Sequence, residues 1–440
     1  MIVILGGGPA GRIASIRLAT AGKQVTLVEH GGIGGQCLHS GCMPVCALND
    51  IARFLHAARD LRNLGVVDLV PAPDFPVLLK KMGEIQQKIA SILDEETRSA
   101  GVEIIYGRTG RFDGERTWAG NEQLKAEAVI AATGSRPFVP QIPGIDLPGV
   151  FMPRTLPEMK KLPEKLAIIG GSVAAAEFAY IFRNFGCDVT ILSRSTFLKE
   201  SDRHIRALAV KELAGVTIRE NTPVMSIGGK DWVDSVLTPL GEVEADMVFL
   251  AAGLVPNSEM LNGVKKGSLG EVMVDNRMRT SVADVYACGD VVGPPYLTPV
   301  ARYQGIVAAD NILGIPRIMD YKNIPRSISL AHELAYCINK SESMGSLAIP
   351  GPAGPGSFWS VPTGQTGLAK VIFDPESGEL AGICAAGPGG GLIAGYMAFL
   401  MKKHFSVHDF EEFIEVHPST DGVYGLAKYA SSVLKKRNKN

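Results

Sequence analysis

The chain has 440 residues, 46% of them apolar and 20% charged, with a formal net charge of −1. That length favours several domains over one compact core. The balanced charge gives no sign of a nucleic-acid partner, and no apolar run approaches the roughly 20 residues needed to span a bilayer.

Met1-Ile2-Val3-Ile4-Leu5 opens the chain without a basic leader or a cleavage-site pattern, so a cytoplasmic location is expected. Ile2 to Leu5 reads as a strand, Gly6-Gly7-Gly8-Pro9-Ala10-Gly11 as a turn, the stretch to about Ala21 as a helix, and Val25 to Glu29 as a second strand. Gly6, Gly8 and Gly11 have the spacing that allows a tight turn, close approach of a pyrophosphate and close helix-strand packing, while Glu29 is placed to accept hydrogen bonds from a ribose. Amphipathic spacing predicts helices over Pro44 to Leu61 and Leu78 to Ala100. Ala132-Thr133-Gly134-Ser135 and Cys288-Gly289-Asp290 read as a glycine-bearing crossover and a strand-end aspartate. A second βαβ pattern begins with Leu166 to Ile169, turns at Gly170-Gly171-Ser172-Val173-Ala174-Ala175, continues as a helix through Phe185 and ends on the strand Val189 to Leu192. Beyond Pro325 the pattern changes to strands at Ser327 to Leu330, Leu368 to Phe373 and Leu380 to Ala386, a Pro/Gly-rich segment from Pro350 to Gly367, and two later helices. Leu392 to Met401 reads as a buried helix, and the basic run 435–439 as a frayed terminus. The expected class is α/β with two Rossmann-like dinucleotide-binding domains and a C-terminal α+β domain, divided as 1–145 and 260–322 for the first, 146–259 for the second and 323–440 for the third.

Cys37-Leu38-His39-Ser40-Gly41-Cys42 is the most informative segment. An intact helix would separate the two Cα atoms by about 7.5 Å along its axis, too far for a disulfide, so the two can be joined only if Cys37 lies outside a regular helix. Gly34, Gly35 and Gly41 permit such a turn. A zinc site is disfavoured, because Cys187, Cys288, Cys337 and Cys384 are isolated and lack ligand spacing.

With these residues in place the whole chain resembles the class I pyridine nucleotide-disulfide oxidoreductases, the family of dihydrolipoamide dehydrogenase, glutathione reductase and mercuric reductase. The carriers are Gly6 to Gly11, Glu29, the run Gly34 to Pro44, Ala132 to Ser135, Cys288-Gly289-Asp290 and His417-Pro418. The resemblance implies FAD, a pyridine nucleotide, a homodimer whose third domain is its dimerisation domain, and a disulfide substrate of lipoyl or small-molecule type. It implies that Glu29 and Asp290 bind FAD with Gly35, Cys46, Thr133, Gly134 and Leu297, and that Gly170, Ser172, Ala175, Glu177, Ser193, Arg194 and Gly253 serve the nicotinamide side. Cys42 would face the flavin, Cys37 would exchange with substrate, and His417 would act as acid and base in the other subunit's site.

The chain departs from that pattern at several places. Cys46 stands where relatives carry a lysine that pairs with the glutamate matching Glu177; it reads as a packing residue or a third redox thiol. Gly422 stands where a glutamate orients the histidine, with Asp421 one residue early, and Gly391 replaces another frequent glutamate. Ser172 and Ser193-Arg194-Ser195-Thr196 look most like mercuric reductase, yet no vicinal cysteine pair follows Cys384. Ser193 stands where NAD-specific relatives place an acid and Arg194 follows it, which favours NADPH over NADH. The reading is an NAD(P)H:disulfide oxidoreductase of the dihydrolipoamide dehydrogenase type; a flavoprotein acting on a non-lipoyl disulfide or thioether, and a non-catalytic electron-transfer subunit, stay open beside it.

Overall fold

A computed structural model describes residues 1–339, 345–350, 367–417, 419 and 421–437, the side chains of 348–350 excepted. Ile2–Leu5 is apolar at every position and buried at every position, the signature of a strand covered on both faces of a parallel sheet. It is the centre of a five-stranded sheet ordered Val285–Ala287, Ala128–Ala131, Ile2–Leu5, Val25–Glu29 and Val102–Tyr106, all parallel. The chain leaves the central strand in one direction and later returns on its other side. That reversal opens a crevice at the strand ends, beside the glycine turn, where such sheets take their ligands.

The second βαβ pattern builds an independent parallel sheet ordered Thr217–Arg219, Asp188–Leu192, Lys165–Ile169, Met247–Leu250 and Val150–Phe151. Its register repeats that of the first, Leu166 to Ile169 facing Val189 to Leu192 as Ile2 to Leu5 faces Val25 to Val28. The third layer is an antiparallel sheet ordered Arg326–Ser329, Glu333–Ile338, Leu380–Gly387, Leu368–Phe373 and Gly345–Pro350, covered by helices Gly390–Lys402 and Gly422–Arg437. Mixed α/β architecture with Rossmann-like sheets and a C-terminal α+β unit is therefore as expected.

The helices predicted from Pro44 and Leu78 run over Cys42–Asn63 and Phe75–Ser99. The second starts early because the Asp74 side chain accepts the Val77 N–H at 3.0 Å and Pro76 suits a first turn. Leu48, Ala52 and Leu55 of the Cys42–Asn63 helix share one core with Phe178 and Phe182 of helix Val173–Asn184 and with Leu330, Leu334 and Cys384 of the antiparallel sheet. A Lys370–Asp202 ion pair at 2.7 Å, both side chains under 10% exposed, ties that sheet to the second unit. The cysteine helix is thus wedged between two other layers, which fixes its first turn in space.

Two expectations are corrected. Helix Gly390–Lys402 is not buried throughout: Ala394, Met397, Ala398 and Met401 face the core, but Leu392 is 82% and Phe399 57% exposed. The apolar run therefore serves two faces, one covered within the chain and one presented outward. In the basic terminus, Lys435, Lys436 and Arg437 form the last turn of a helix rather than a frayed tail, where cations complement the macrodipole and Lys435 pairs with Glu411 at 2.5 Å; 438–440 lie outside the described residues. So do Pro418 and most of the Pro/Gly-rich segment, 351–366. No helix among the described residues is long and apolar enough to cross a membrane.

Candidate active site

A short helix, Gly35–His39, carries Cys37 and ends at Ser40 with φ −148°. Gly41, at φ −117° and ψ −112°, redirects the chain, and Cys42 begins the long helix. The two cysteines therefore sit on either side of a corner, but Cys37 lies in a short helix of its own and not outside regular helix as expected, because the break at Gly41 alone brings the two helix ends together. Gly34 and Gly35 have φ of +97° and +56°, and a Cβ on Gly35 would lie 2.8 Å from the Cα of Gly8, so the corner folds directly onto the first glycine turn.

Both cysteines are thiols. The Oγ1 of Thr298, first residue of helix Thr298–Ile312, lies 3.5 Å from Cys42 Sγ. The Cys37 thiol is lowered to about 6, first by a hydrogen bond from Cys42, against the opposing effect of burial, and further by Thr298 and by the positive charge of Arg302. Cys42 is pushed up by that same hydrogen bond, by burial and by the charge on Cys37. The hydrogen bond between the two sulfurs lets the pair give up its first proton more readily than an isolated thiol would.

Cys46 lies one turn beyond Cys42 and is solvent-accessible. Partial desolvation, then the negative charges of Cys42 and Glu177, push its thiol up. Burial pushes the Glu177 carboxyl up to about 7, although it accepts the Ser329 N–H at 2.9 Å. The nearest cation is Arg53, two turns after Cys46, and it is already engaged, with Nε donating to Leu330 O at 2.6 Å and Nη2 to Ser329 Oγ at 3.1 Å. Buried Asn49 donates to Ser329 and Leu330 as well. Thr298, Arg302, Arg53 and Asn49 escaped the sequence reading. Of these, only the helical spacing 42, 46, 49, 53 was visible in advance; nothing in the sequence pairs residue 298 with residue 42.

The first glycine turn suits FAD. Helix Pro9–Thr20 starts without a side-chain cap, leaving first-turn N–H groups for an anion, and a Cβ on Gly8 would meet nothing closer than Gly35 Cα at 3.9 Å. Glu29 accepts the N–H of Gly7 at 2.5 Å and of Gly31 at 2.7 Å, which holds the carboxylate at the strand end. Asp290, raised by burial, accepts the Ser135 hydroxyl at 2.6 Å at the neighbouring strand end. Thr133 is differently placed than its motif suggests: its hydroxyl donates to Asn257 O at 2.6 Å and clasps the crossover to strand Leu254–Pro256, leaving Gly134 open. Leu297 precedes the Thr298 helix.

At the second turn, Ser172 opens helix Val173–Asn184, again without a side-chain cap, and Ala175 is fully buried. Ser193, 1% exposed, donates its hydroxyl to Ser195 O at 2.7 Å, while Arg194 is exposed and makes no ion pair among the described residues. At Gly253, with φ +115°, an added Cβ would meet open space. His417 is exposed, at 67%, and its Nδ1 lies 2.7 Å from Asp421 Oδ2.

Comparison with known proteins agrees with this geometry. The model for "Pyridine nucleotide-disulphide oxidoreductase" matches residues 1–305 and that for the family's dimerisation domain matches residues 356–427. Dihydrolipoyl dehydrogenase of Bacillus subtilis is 28% identical across 95% of both chains, and that of Haloferax volcanii is 28% identical across 95% of this chain and 93% of its own. The HOCl-induced flavoprotein disulfide reductase RclA of Escherichia coli superposes with a TM-score of 0.85 at 25% identity, over 97% of this chain and 98% of its own. LpdA of Mycobacterium tuberculosis, at 23% identity and a TM-score of 0.88, shares the fold. The chain belongs to the pyridine nucleotide-disulphide oxidoreductase family, whose members are FAD-dependent, NAD(P)H-using flavoprotein enzymes with a dimerisation domain.

Proposed function

We propose that this protein uses NADPH to reduce a disulfide, with Cys37 as the exchanging thiol, Cys42 as the resolving thiol and His417 of a partner subunit as the proton donor. The observation that carries the reading is the Cys37–Cys42–Thr298 corner, which lowers one thiol to about 6 beside the first glycine turn. FAD, when bound, supplies the two-electron link between nicotinamide and dithiol. Glu29, Asp290, Gly8 and Gly35 would hold it.

Cys37 attacks one substrate sulfur as a thiolate; the new Cys37–S bond forms as the substrate S–S bond breaks, and the departing sulfur keeps the electron pair. That sulfur needs a proton, which His417 donates, its imidazole oriented by Asp421. Cys42 then attacks Cys37, closing their disulfide and releasing the second substrate sulfur. One disulfide enters and two thiols leave, with two electrons and two protons drawn from NADPH and solvent. The outward apolar face of Leu392 and Phe399 supports subunit pairing, as His417 in trans requires. A lipoyl substrate is the second reading, favoured by the names of the Bacillus and Haloferax relatives.

Stopped-flow kinetics of the two half-reactions tests the assignment. His417→Ala should slow thiol exchange by about 10²- to 10⁴-fold and leave flavin bleaching by NADPH unchanged. Asp421→Asn should act as a weaker His417→Ala. Equal slowing of both halves would make His417 structural and sink the proton-donor role.

A further inference from the structure

We propose that Arg302 makes the mouth of the cysteine pair selective for disulfides bearing a carboxylate or similar anion next to their sulfurs. This rests on the reductase reading above and adds the substrate's charge to it.

Thr298 anchors the start of its helix at the dithiol, 3.5 Å from Cys42 Sγ. Arg302 follows one turn later on the same helix face, close enough for its charge to act on Cys37. It is exposed and makes no ion pair among the described residues. The other charges around the pair are already engaged: Arg53 with Leu330 and Ser329, Glu177 with the Ser329 N–H, and Glu333 with the Gly391 N–H at 2.8 Å. Those acids act on Cys46, whereas the guanidinium that acts on Cys37 is uncommitted. A free guanidinium fork matches a carboxylate bidentately, and holding one there would bring the neighbouring sulfur to Cys37.

The experiment compares reduction of dithiobis(nitrobenzoate), which carries carboxylates, with that of uncharged dithiodipyridine by the flavin-loaded enzyme and NADPH at neutral pH. A charged hydrogen bond implies that Arg302→Ala lowers kcat/KM for the anionic disulfide by about 10- to 100-fold. The uncharged one should fall only by the smaller factor that weaker support of the Cys37 thiolate imposes on both disulfides, Arg302→Lys should restore part of the loss, and Arg302→Glu should invert the preference. An equal fall for both disulfides, or no change in either, overturns the proposal. So does loss of the dimer in Arg302→Ala by light scattering, which would assign the residue to a subunit contact. Alkylation of Cys37 by iodoacetate relative to iodoacetamide gives an independent reading, since both need the thiolate and only one is anionic. If the enzyme reduces neither disulfide while that ratio still falls in Arg302→Ala, the reductase reading fails and the charge selection stands.

Discussion

The two βαβ units share a backbone plan and part company where a ligand would touch them. Their first glycines are interchangeable in role: a Cβ on Gly6 would meet Ala132 O at 2.3 Å, and one on Gly170 would meet Ala251 O at 2.2 Å. The positions that follow differ. Gly8 is matched by Ser172, Gly11 by the buried Ala175, and Glu29 by Ser193. In the first unit the carboxylate accepts the turn's Gly7 N–H, whereas in the second the serine hydroxyl folds back to Ser195. Contacts that close the turn against the next strand are imposed by topology and are kept; contacts that face a nucleotide follow the nucleotide.

The sharpest way to break this comparison is to exchange the third position. A Cβ on Gly11 would stand 2.0 Å from Gly6 O, a backbone atom that cannot swing away. Gly11→Ala should therefore cost about 3 kcal/mol or more, the upper range for overpacking, and deplete bound flavin. Ala175→Gly, in a unit whose helix already accommodates the methyl, should cost only about 0.5–1 kcal/mol. Thermal denaturation and the flavin-to-protein absorbance ratio read both. Flavin retention in Gly11→Ala at unchanged Tm would show that the two helices pack alike.

Rebuilding the second unit's strand end on the first should have the next largest effect. Ser193→Glu places a carboxylate where Glu29 has one, beside Gly171, and Arg194→Ala removes the exposed guanidinium. Loss of a charged hydrogen bond to a 2′-phosphate, at roughly 1.5–3 kcal/mol, corresponds to about 10- to 100-fold. The double variant should lose that much of its NADPH preference in kcat/KM and gain on NADH. If the parent enzyme already treats the two nucleotides equally, Arg194 is an ordinary solvated arginine.

Both units were legible because their signals are local: buried apolar strands, glycine spacing and a strand-end acid fall within thirty residues of one another. The cysteine corner was legible for the same reason, since six residues and the pitch of a helix suffice to demand a break at Ser40-Gly41. What stayed hidden depends on contacts across the fold. Thr298 reaches Cys42 only because Val285–Ala287 returns beside Ala128–Ala131, and Arg53 meets Ser329 only because the antiparallel sheet docks on the cysteine helix. The outward face of Leu392 and Phe399 was missed because an apolar run does not say which of its sides the rest of the chain covers. His417 was legible only through its resemblance, and so was Asp421 beside the place of the missing glutamate; their 2.7 Å contact is local, four residues apart.

The helices of the two units differ as well. Residue Ile13 of the first helix corresponds to Glu177 of the second, which is turned onto the cysteine helix and held by the Ser329 N–H. Burial raises the Glu177 carboxyl from its ordinary 4.5 to about 7, so between those values the folded chain binds more protons than the unfolded one. Stability from this group is therefore greatest at low pH, declines as pH rises from about 4.5 to about 7, and is level above that. Urea unfolding across this window should show the decline in the parent and a flatter profile in Glu177→Gln, the difference between the two isolating Glu177. Cys46→Lys sets a cation beside the carboxylate, favours its charged form and should flatten the profile as well. Parallel profiles in all three proteins would mean that Glu177 is ionised throughout, and that Arg53, despite its bonds to Ser329 and Leu330, already supplies the cation that the loss of a lysine at position 46 removed.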